Sequence, residues 1–323
     1  MSKLNLRRYG ILAFASVFCM TNVQADQFPS KSIRIITPGP PGGITDGTLR
    51  VLAAELTRAW GQTVIVDNKP GGTGLIALQA LMAAPNDGHV LGMQVSGFMS
   101  VLPLAHGSRY APLEAATPIS FLSEYPLVLA TASSSPFNTW KEFVDWSKRT
   151  GAKPSYGTSG VGGTTHMAGV QIKRSTGVDL QDIPYKGDSP MITDVIGKQI
   201  PLGMPVIGSA LPMIRGGQLK GIAVVSTTRV PFAPDIATLK EQGVDVVFAP
   251  WNYLQGPAQM DPSVVSRIAR DVATAMNSKA VKDFYQSNAL IWKDMSREQL
   301  MSLIRTDTET GQSIIRELNI PVK

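Results

Sequence analysis

The chain has 323 residues, 43% of them hydrophobic and 17% charged, with 30 Lys plus Arg against 24 Asp plus Glu. At ~150 residues per domain this is enough for about two domains, each with its own core. The composition excludes a disordered or supercharged chain, and its 30 Gly and 23 Pro, scattered without a fixed period, exclude collagen-like and repeat architectures.

Residues 1–25 read as a secretory signal peptide. Lys3, Arg7 and Arg8 form its positive end, 11–20 is an apolar run, and Val23-Gln24-Ala25 offers small residues before a cut at Asp26. The apolar run is too short to cross the ~30 Å hydrocarbon core of a bilayer, and Phe18 sits where a lipoprotein anchor at Cys19 would need a small residue. Export to the periplasm is therefore expected. Without Lys3, Arg7 and Arg8 the remainder carries 27 basic residues against 24 acidic ones, a net charge of about +3. No run of five Lys or Arg is present, so nucleic acid is not an expected partner. Cys19 is the only cysteine, so the exported form would have neither a disulfide nor a thiolate nucleophile or metal ligand.

Short β-rich runs alternate with longer helical patterns, the signature of an α/β protein with parallel sheets. Strands are predicted at 32–37, 63–67 and 89–95, and helices at 45–60 and 75–84; Leu49, Leu52, Ala53 and Leu56 give the first helix its period. The pattern restarts near residue 128. It predicts a strand at 127–132, a helix at 139–149 opened by a Thr139–Glu142 capping box, and a short strand at 155–158. Helices at 165–176 and 189–196 and a strand at 221–226 follow. After Trp251 only helices are expected, one capped by Asp261-Pro262 and the last by Ser296 and Gln299.

Two strand-to-helix connections are rich in glycine: Pro38-Gly39-Pro40-Pro41-Gly42-Gly43-Ile44-Thr45-Asp46 and Gly157-Thr158-Ser159-Gly160-Val161-Gly162-Gly163-Thr164-Thr165-His166. Glycine lets backbone approach a ligand, and the N–H groups of a first helical turn attract an anion. Each is equally readable as a plain connection, with Thr45 or Asp46 capping the first helix and Thr164 the second. Asp46 suits the helix dipole but would repel an anion, and could instead hold a water or meet an ammonium group.

Familiar enzyme motifs fail. Gly197-Lys198-Gln199 lacks the Ser/Thr of a P-loop, and in Gly72-Thr73-Gly74-Leu75-Ile76-Ala77 the glycines are displaced from the strand by Asn68-Lys69-Pro70. Val161 occupies the fifth position where a nucleophile elbow needs Gly. His89, His106 and His166 show no metal-ligand spacing.

The segments FPSKSIRIITPGPPGGITD at 28–46, VIVDNKPGGTGLIALQALMAAPNDGHVL at 64–91, GTSGVGGTTHMAGVQIK at 157–173, DIPYKGDSPMITDVIGKQI at 182–200 and SALPMIRGGQLKGIAVVS at 209–226 carry, in order, a resemblance to the substrate-binding receptors of tripartite tricarboxylate transporters, the Bug family. The resemblance implies a two-lobed fold of the periplasmic-binding-protein type with the ligand between the lobes. Lobe 1 would be discontinuous, 27–127 plus 252–323, and lobe 2 would be 128–251. It implies a monomeric receptor without cofactor or resident metal and without enzymatic activity. Such a receptor would bind a small organic acid and deliver it to membrane permease subunits. Its ligand-binding residues would be Gly42, Gly43, Thr45 and Asp46 in the first loop, Ser96 and Gly97, Gly160, Thr164, Thr165 and His166 in the second loop, and Tyr185. Lys186 and Gly187 adjoin them.

Four positions depart from the family pattern. Gly39 replaces an aromatic residue, Pro41 a small one, Leu102 an Asn, and Pro205 an Asp. These changes imply lost polar groups and added room or apolar surface, hence a bulkier or less polar acid than a plain C4 diacid, such as an aromatic or longer-chain acid. The alternatives are an exported hydrolase-like enzyme using Ser159 or His166, and a sensor or scaffold on the same fold.

Overall fold

The computed structural model describes residues 28–71, 74–97, 111–158 and 164–317. The signal peptide expected at 1–25, Gly72, Thr73, Leu102, His106, Ser159, Gly160 and the glycines at 162 and 163 lie outside the described residues.

The chain begins with β1 (Ile33–Thr37), α1 (Ile44–Trp60), β2 (Val64–Asn68), α2 (Leu75–Met82) and β3 (Val90–Val95). The short α3 (Pro112–Ala115) leads into β4 (Ala116–Glu124). Then come β5 (Val128–Ala132), α4 (Trp140–Thr150), β6 (Ser155–Thr158), α5 (Thr164–Thr176), β7 (Gln181–Pro184), α6 (Asp188–Ile196), β8 (Leu202–Gly203), α7 (Ile207–Arg215) and β9 (Leu219–Val224). β10 (Trp251–Pro257) and helices α8 (Pro262–Met276), α9 (Lys279–Ser287) and α10 (Arg297–Glu317) follow.

Two five-stranded sheets result, in the orders β2-β1-β3-β10-β4 and β7-β6-β8-β5-β9. In the first, Ile35 lies opposite Val66 and Leu91 in parallel register, while Tyr253 faces Gln94 and Leu254 faces Ser120 in antiparallel register. In the second, β7-β6-β8 is parallel and β5 runs against both β8 and β9. Each sheet with its helices is one lobe of a two-lobed α/β fold.

The local signals explain the elements. Leu49, Leu52, Ala53 and Leu56 fall on one stripe of α1 and pack with Ile33, Ile35 and Leu91 in the first core. Gly61 ends the helix at φ 64°, donating to Thr57 O at 3.0 Å, a conformation that suits a residue without Cβ. Thr139 accepts the Glu142 N–H, and Ser296 and Gln299 cap α10 reciprocally. Asp261 caps α8 through the Ser263 N–H at 2.7 Å. In the second lobe a Cβ on Gly169 would run into the Tyr156 ring, so this glycine makes room for a buried aromatic side chain.

Two sequence expectations need correction. Residues 251–257 form β10, not a helix, and β10 is an interior strand of the first sheet. All seven of its residues are buried, so the strand shows none of the inside–outside alternation that marks a half-exposed one. Neither Thr45 nor Asp46 caps α1: Gly43 is the N-cap, without a side-chain hydrogen bond to the helix.

The chain passes from β4 to β5 and from β9 to β10 between the sheets. These crossings are knitted together where Tyr125 N donates to Pro250 O at 2.7 Å and Val225 N donates to Leu127 O at 3.0 Å. A third segment joins them through paired bonds between Glu124 and Ile291, at 2.8 and 3.1 Å.

Candidate functional site

The first glycine-rich loop ends at Gly42 and Gly43. Gly42 has φ 79°, which strains any side chain larger than hydrogen, and Gly43 is extended at the start of α1. The first N–H groups of a helix have no carbonyl four residues back, so this end can receive an anion. Asp46 is 3% exposed and lies behind the loop rather than in front of it. Its carboxylate accepts from Gly42 N at 2.9 Å, Arg50 Nε at 2.8 Å and Asn68 Nδ2 at 2.9 Å. The bond from Arg50 is foremost in holding its pKa down to about 2, against the opposing effect of burial. Asn68 Nδ2 also donates to Gly39 O at 3.0 Å, so one carboxylate and one amide tie the loop to α1 and β2.

A Cβ at Gly39 would collide with Thr45 Oγ1. The space expected to be left by the missing aromatic residue is therefore closed by Thr45, which corrects the expectation of added room at this point.

On the facing lobe, Thr164 opens α5. A Cβ on Gly97 would lie 2.6 Å from Thr164 Oγ1, so the loop after β3 and the start of α5 meet across the lobes at a glycine. Ser96 is buried and its Oγ accepts from Trp251 N at 3.1 Å. Thr165 and His166 are buried within α5, and His166 Nε2 lies 3.9 Å from Asp182 Oδ1. Tyr185 Oη donates to Asp194 Oδ2 at 2.8 Å; burial first, and then this carboxylate, push its pKa up to about 12.

Among the described residues, two cavities between the lobes stand out. The larger, of about 720 Å³, has Gly42, Gly43 and Ile44 at one side, Gly187 and Asp188 at the start of α6, and Val206 to Ser209 at the start of α7. Tyr125, Phe284 and Asn288 complete its wall. The smaller, of about 230 Å³, is bordered by Ser96 and Gly97, by Met167 and Gln171 on α5, and by Asp307 on α10. The structure thus brings Gly42 and Gly43 to one cavity and Ser96 and Gly97 to another, with Thr164 at the contact. Thr45, Asp46, Thr165, His166 and Tyr185 line neither cavity.

Sequence reasoning missed Asp188. Its carboxylate Oδ2 accepts from Val206 N at 3.1 Å, and the Ser209 hydroxyl also donates to it. The amide it meets belongs to the residue after Pro205, so a polar group returns from another helix to the place where Pro205 had implied one was lost. The Gly187-Asp188-Ser189-Pro190 run was a helix-start signal that could have drawn attention to Asp188. Asn288 and Phe284 had no such signal. Among the described residues, no group of three His, Cys, Asp or Glu could hold a metal ion, and no helix is long and apolar enough to cross a membrane.

The sequence and the fold are similar to those of known proteins. Protein BugT of Bordetella pertussis is 28% identical over 332 residues, covering 99% of this chain and all of that protein. A TctC solute binding protein from Polaromonas has a similar fold, with a TM-score of 0.80 at 24% identity over 90% of this chain and 99% of that one. MatC from Rhodopseudomonas palustris, solved with bound malate, has a TM-score of 0.73 at 22% identity over 89% of this chain and all of that one. The family model of the tripartite tricarboxylate transporter family receptor, TctC, matches residues 48–320, so the chain belongs to this receptor family.

Proposed function

We propose that the protein is a periplasmic receptor that takes a carboxylated solute into the larger cavity and presents it to the permease subunits of a tripartite transporter. The observation that carries this reading is the start of α1: Gly42 and Gly43, whose own N–H groups go to Asp46 and Pro40 O, bring the first helical turn, with the Ile44 N–H, to the wall of an interlobe cavity. The moving bodies would be 27–127 with 252–323 on one side and 128–251 on the other, acting as a monomer. Contacts to both lobes would favour the closed population, by hinge motion at the two chain crossings.

In this reading the carboxylate packs against the backbone of Gly42 and Gly43 and takes the first-turn N–H of Ile44. Thr45 and Asp46 act behind them, shaping the loop. Ser96, Gly97 and Thr164 belong to the seam that closes over the ligand, while Thr165, His166 and Tyr185 hold the second lobe's loops in place. A cavity of about 720 Å³ is roomy for a C4 diacid and suits a longer or ring-bearing acid. The membership of the chain in a receptor family supports binding rather than turnover.

The test is a thermal-shift screen of residues 26–323 against a panel of aliphatic, aromatic and amino-bearing acids. A ligand at ~100 times its Kd adds about 2.7 kcal/mol, readily seen as a raised midpoint. A hit recovered unchanged by mass spectrometry is the expected result. A hit consumed on incubation would make the protein an enzyme, and a folded protein silent to all carboxylates would overturn the reading.

A further inference from the structure

The two sides of the larger cavity differ in charge. On lobe 1, Gly42 and Gly43 spend their N–H groups on Asp46 and Pro40 O, and the first turn of α1 beyond them lines the cavity with the Ile44 N–H and no side-chain charge. On lobe 2, the starts of α6 and α7 would offer a second anion site, but Asp188 occupies it: Oδ2 takes the Val206 N–H at 3.1 Å, and the Ser209 hydroxyl donates to the same carboxylate. Among the described residues lining this cavity, Asp188 is the only aspartate or glutamate, and there is no Lys, Arg or His. Lys186, two residues earlier, is exposed and outside the lining.

A carboxylate has about four acceptor positions, and the two donors named leave acceptor capacity on Asp188. A half-buried carboxylate gains from a further donor and is opposed by another anion. Burial raises the Asp188 pKa despite those two hydrogen bonds, as expected of a carboxylate short of donors.

We infer that Asp188 selects the far end of the ligand, so that the receptor takes a monocarboxylate bearing an N–H donor, an amine or a primary amide, and rejects the corresponding diacid. This rests on the carboxylate-receptor reading above and names its substrate class. The acid group would lie against Gly42 and Gly43, and the N–H group against Asp188.

The experiment is calorimetric titration of the exported protein with acids of matched length: hexanoate, adipate, 6-aminohexanoate and the monoamide of adipate, repeated at lengths of four and five carbons. At the best-fitting length, at least one N–H-bearing acid is expected to bind tenfold or more tighter than the diacid. Asp188→Asn should erase most of that preference while keeping an acceptor for the Val206 N–H. Circular dichroism and the unfolding midpoint report whether the variant folds; the wild-type comparison stands without it. A diacid that binds as tightly as its amino and amide analogues, or a preference unchanged in folded Asp188→Asn, would overturn the inference and leave the carboxylate receptor intact. Absence of binding by every acid, beside a positive result with a solute that has no carboxylate, would overturn the underlying reading.

Discussion

The two lobes are built on one plan and differ in how they hold their ligand-facing loops. In each sheet three parallel strands are followed by a fourth that runs against them and a fifth, at the edge, that runs with them, and in each the first strand of the trio in sequence lies in its middle. The fourth strand of each sheet directly follows the edge strand of the other: β5 comes after β4, and β10 after β9. Each lobe thus completes itself with a strand reached by crossing from its neighbour, which places both crossings at the boundary where the cavities lie.

In lobe 1 the loop is braced from behind by the buried Asp46, which takes the Gly42 N–H and is held by Arg50 and Asn68, and Asp46 does not line the cavity that the first turn of α1 borders. In lobe 2 the bracing carboxylate, Asp188, stands in the cavity wall itself. The same device, a carboxylate on a backbone N–H group, puts the charge behind one wall and within the other. Where the carboxylate sits relative to the loop is what the proposed charge preference rests on.

Breaking the lobe 1 brace should have the largest effect. Asp46→Ala leaves Gly42 N and Asn68 Nδ2 without their acceptor and is expected to cost about 3 kcal/mol of stability in urea unfolding. The pH dependence has a defined sign. A folded-state pKa of about 2 lies below the ordinary value of 3.8, so Asp46 stabilises fully above pH ~4 and loses that contribution as pH falls toward 2. The gap between wild type and Asp46→Asn should therefore shrink by about 2 kcal/mol over that interval, and a gap constant with pH would refute the assignment.

The contact between lobes can be tested next. A Cβ on Gly208 would collide with the Asn288 carbonyl, a backbone atom that cannot rotate away. Gly208→Ala is expected to weaken ligand binding at least tenfold by wedging α7 away from the end of α9, with a destabilisation of about 1–2 kcal/mol. Unchanged affinity would mean that the lobes do not need this approach to hold ligand.

The smallest effect is expected inside the first loop. Gly39→Ala should cost about 1 kcal/mol through its collision with Thr45 Oγ1, and Thr45→Ala in the same chain should recover most of it. Additive losses in a double-mutant cycle would show that Thr45 is not what fills the place above Gly39.

Much of this molecule was legible before folding because its signals are local. The stripe of Leu49, Leu52 and Leu56 marked α1, Asp261-Pro262 marked the start of α8, and the glycines at 42 and 43 marked a strand-to-helix turn able to approach a ligand. Each signal spans only a few residues and is set by backbone geometry and helical period. Five motif segments in order carried the family resemblance, and with it the two-lobed receptor fold.

What the sequence alone could not decide depended on partners distant along the chain. Residues 251–257 became an interior strand because β3 and β4 flank them, not because their own pattern alternates. Asp46 looked able to face a ligand until Arg50 and Asn68 were seen to surround it. Thr45 proved to fill the place above Gly39, and Asp188 to answer the amide 18 residues ahead of it. Period, caps and turns belong to the local chain and survive as sequence; the surroundings of a carboxylate, and so its charge role, exist only once two lobes are packed.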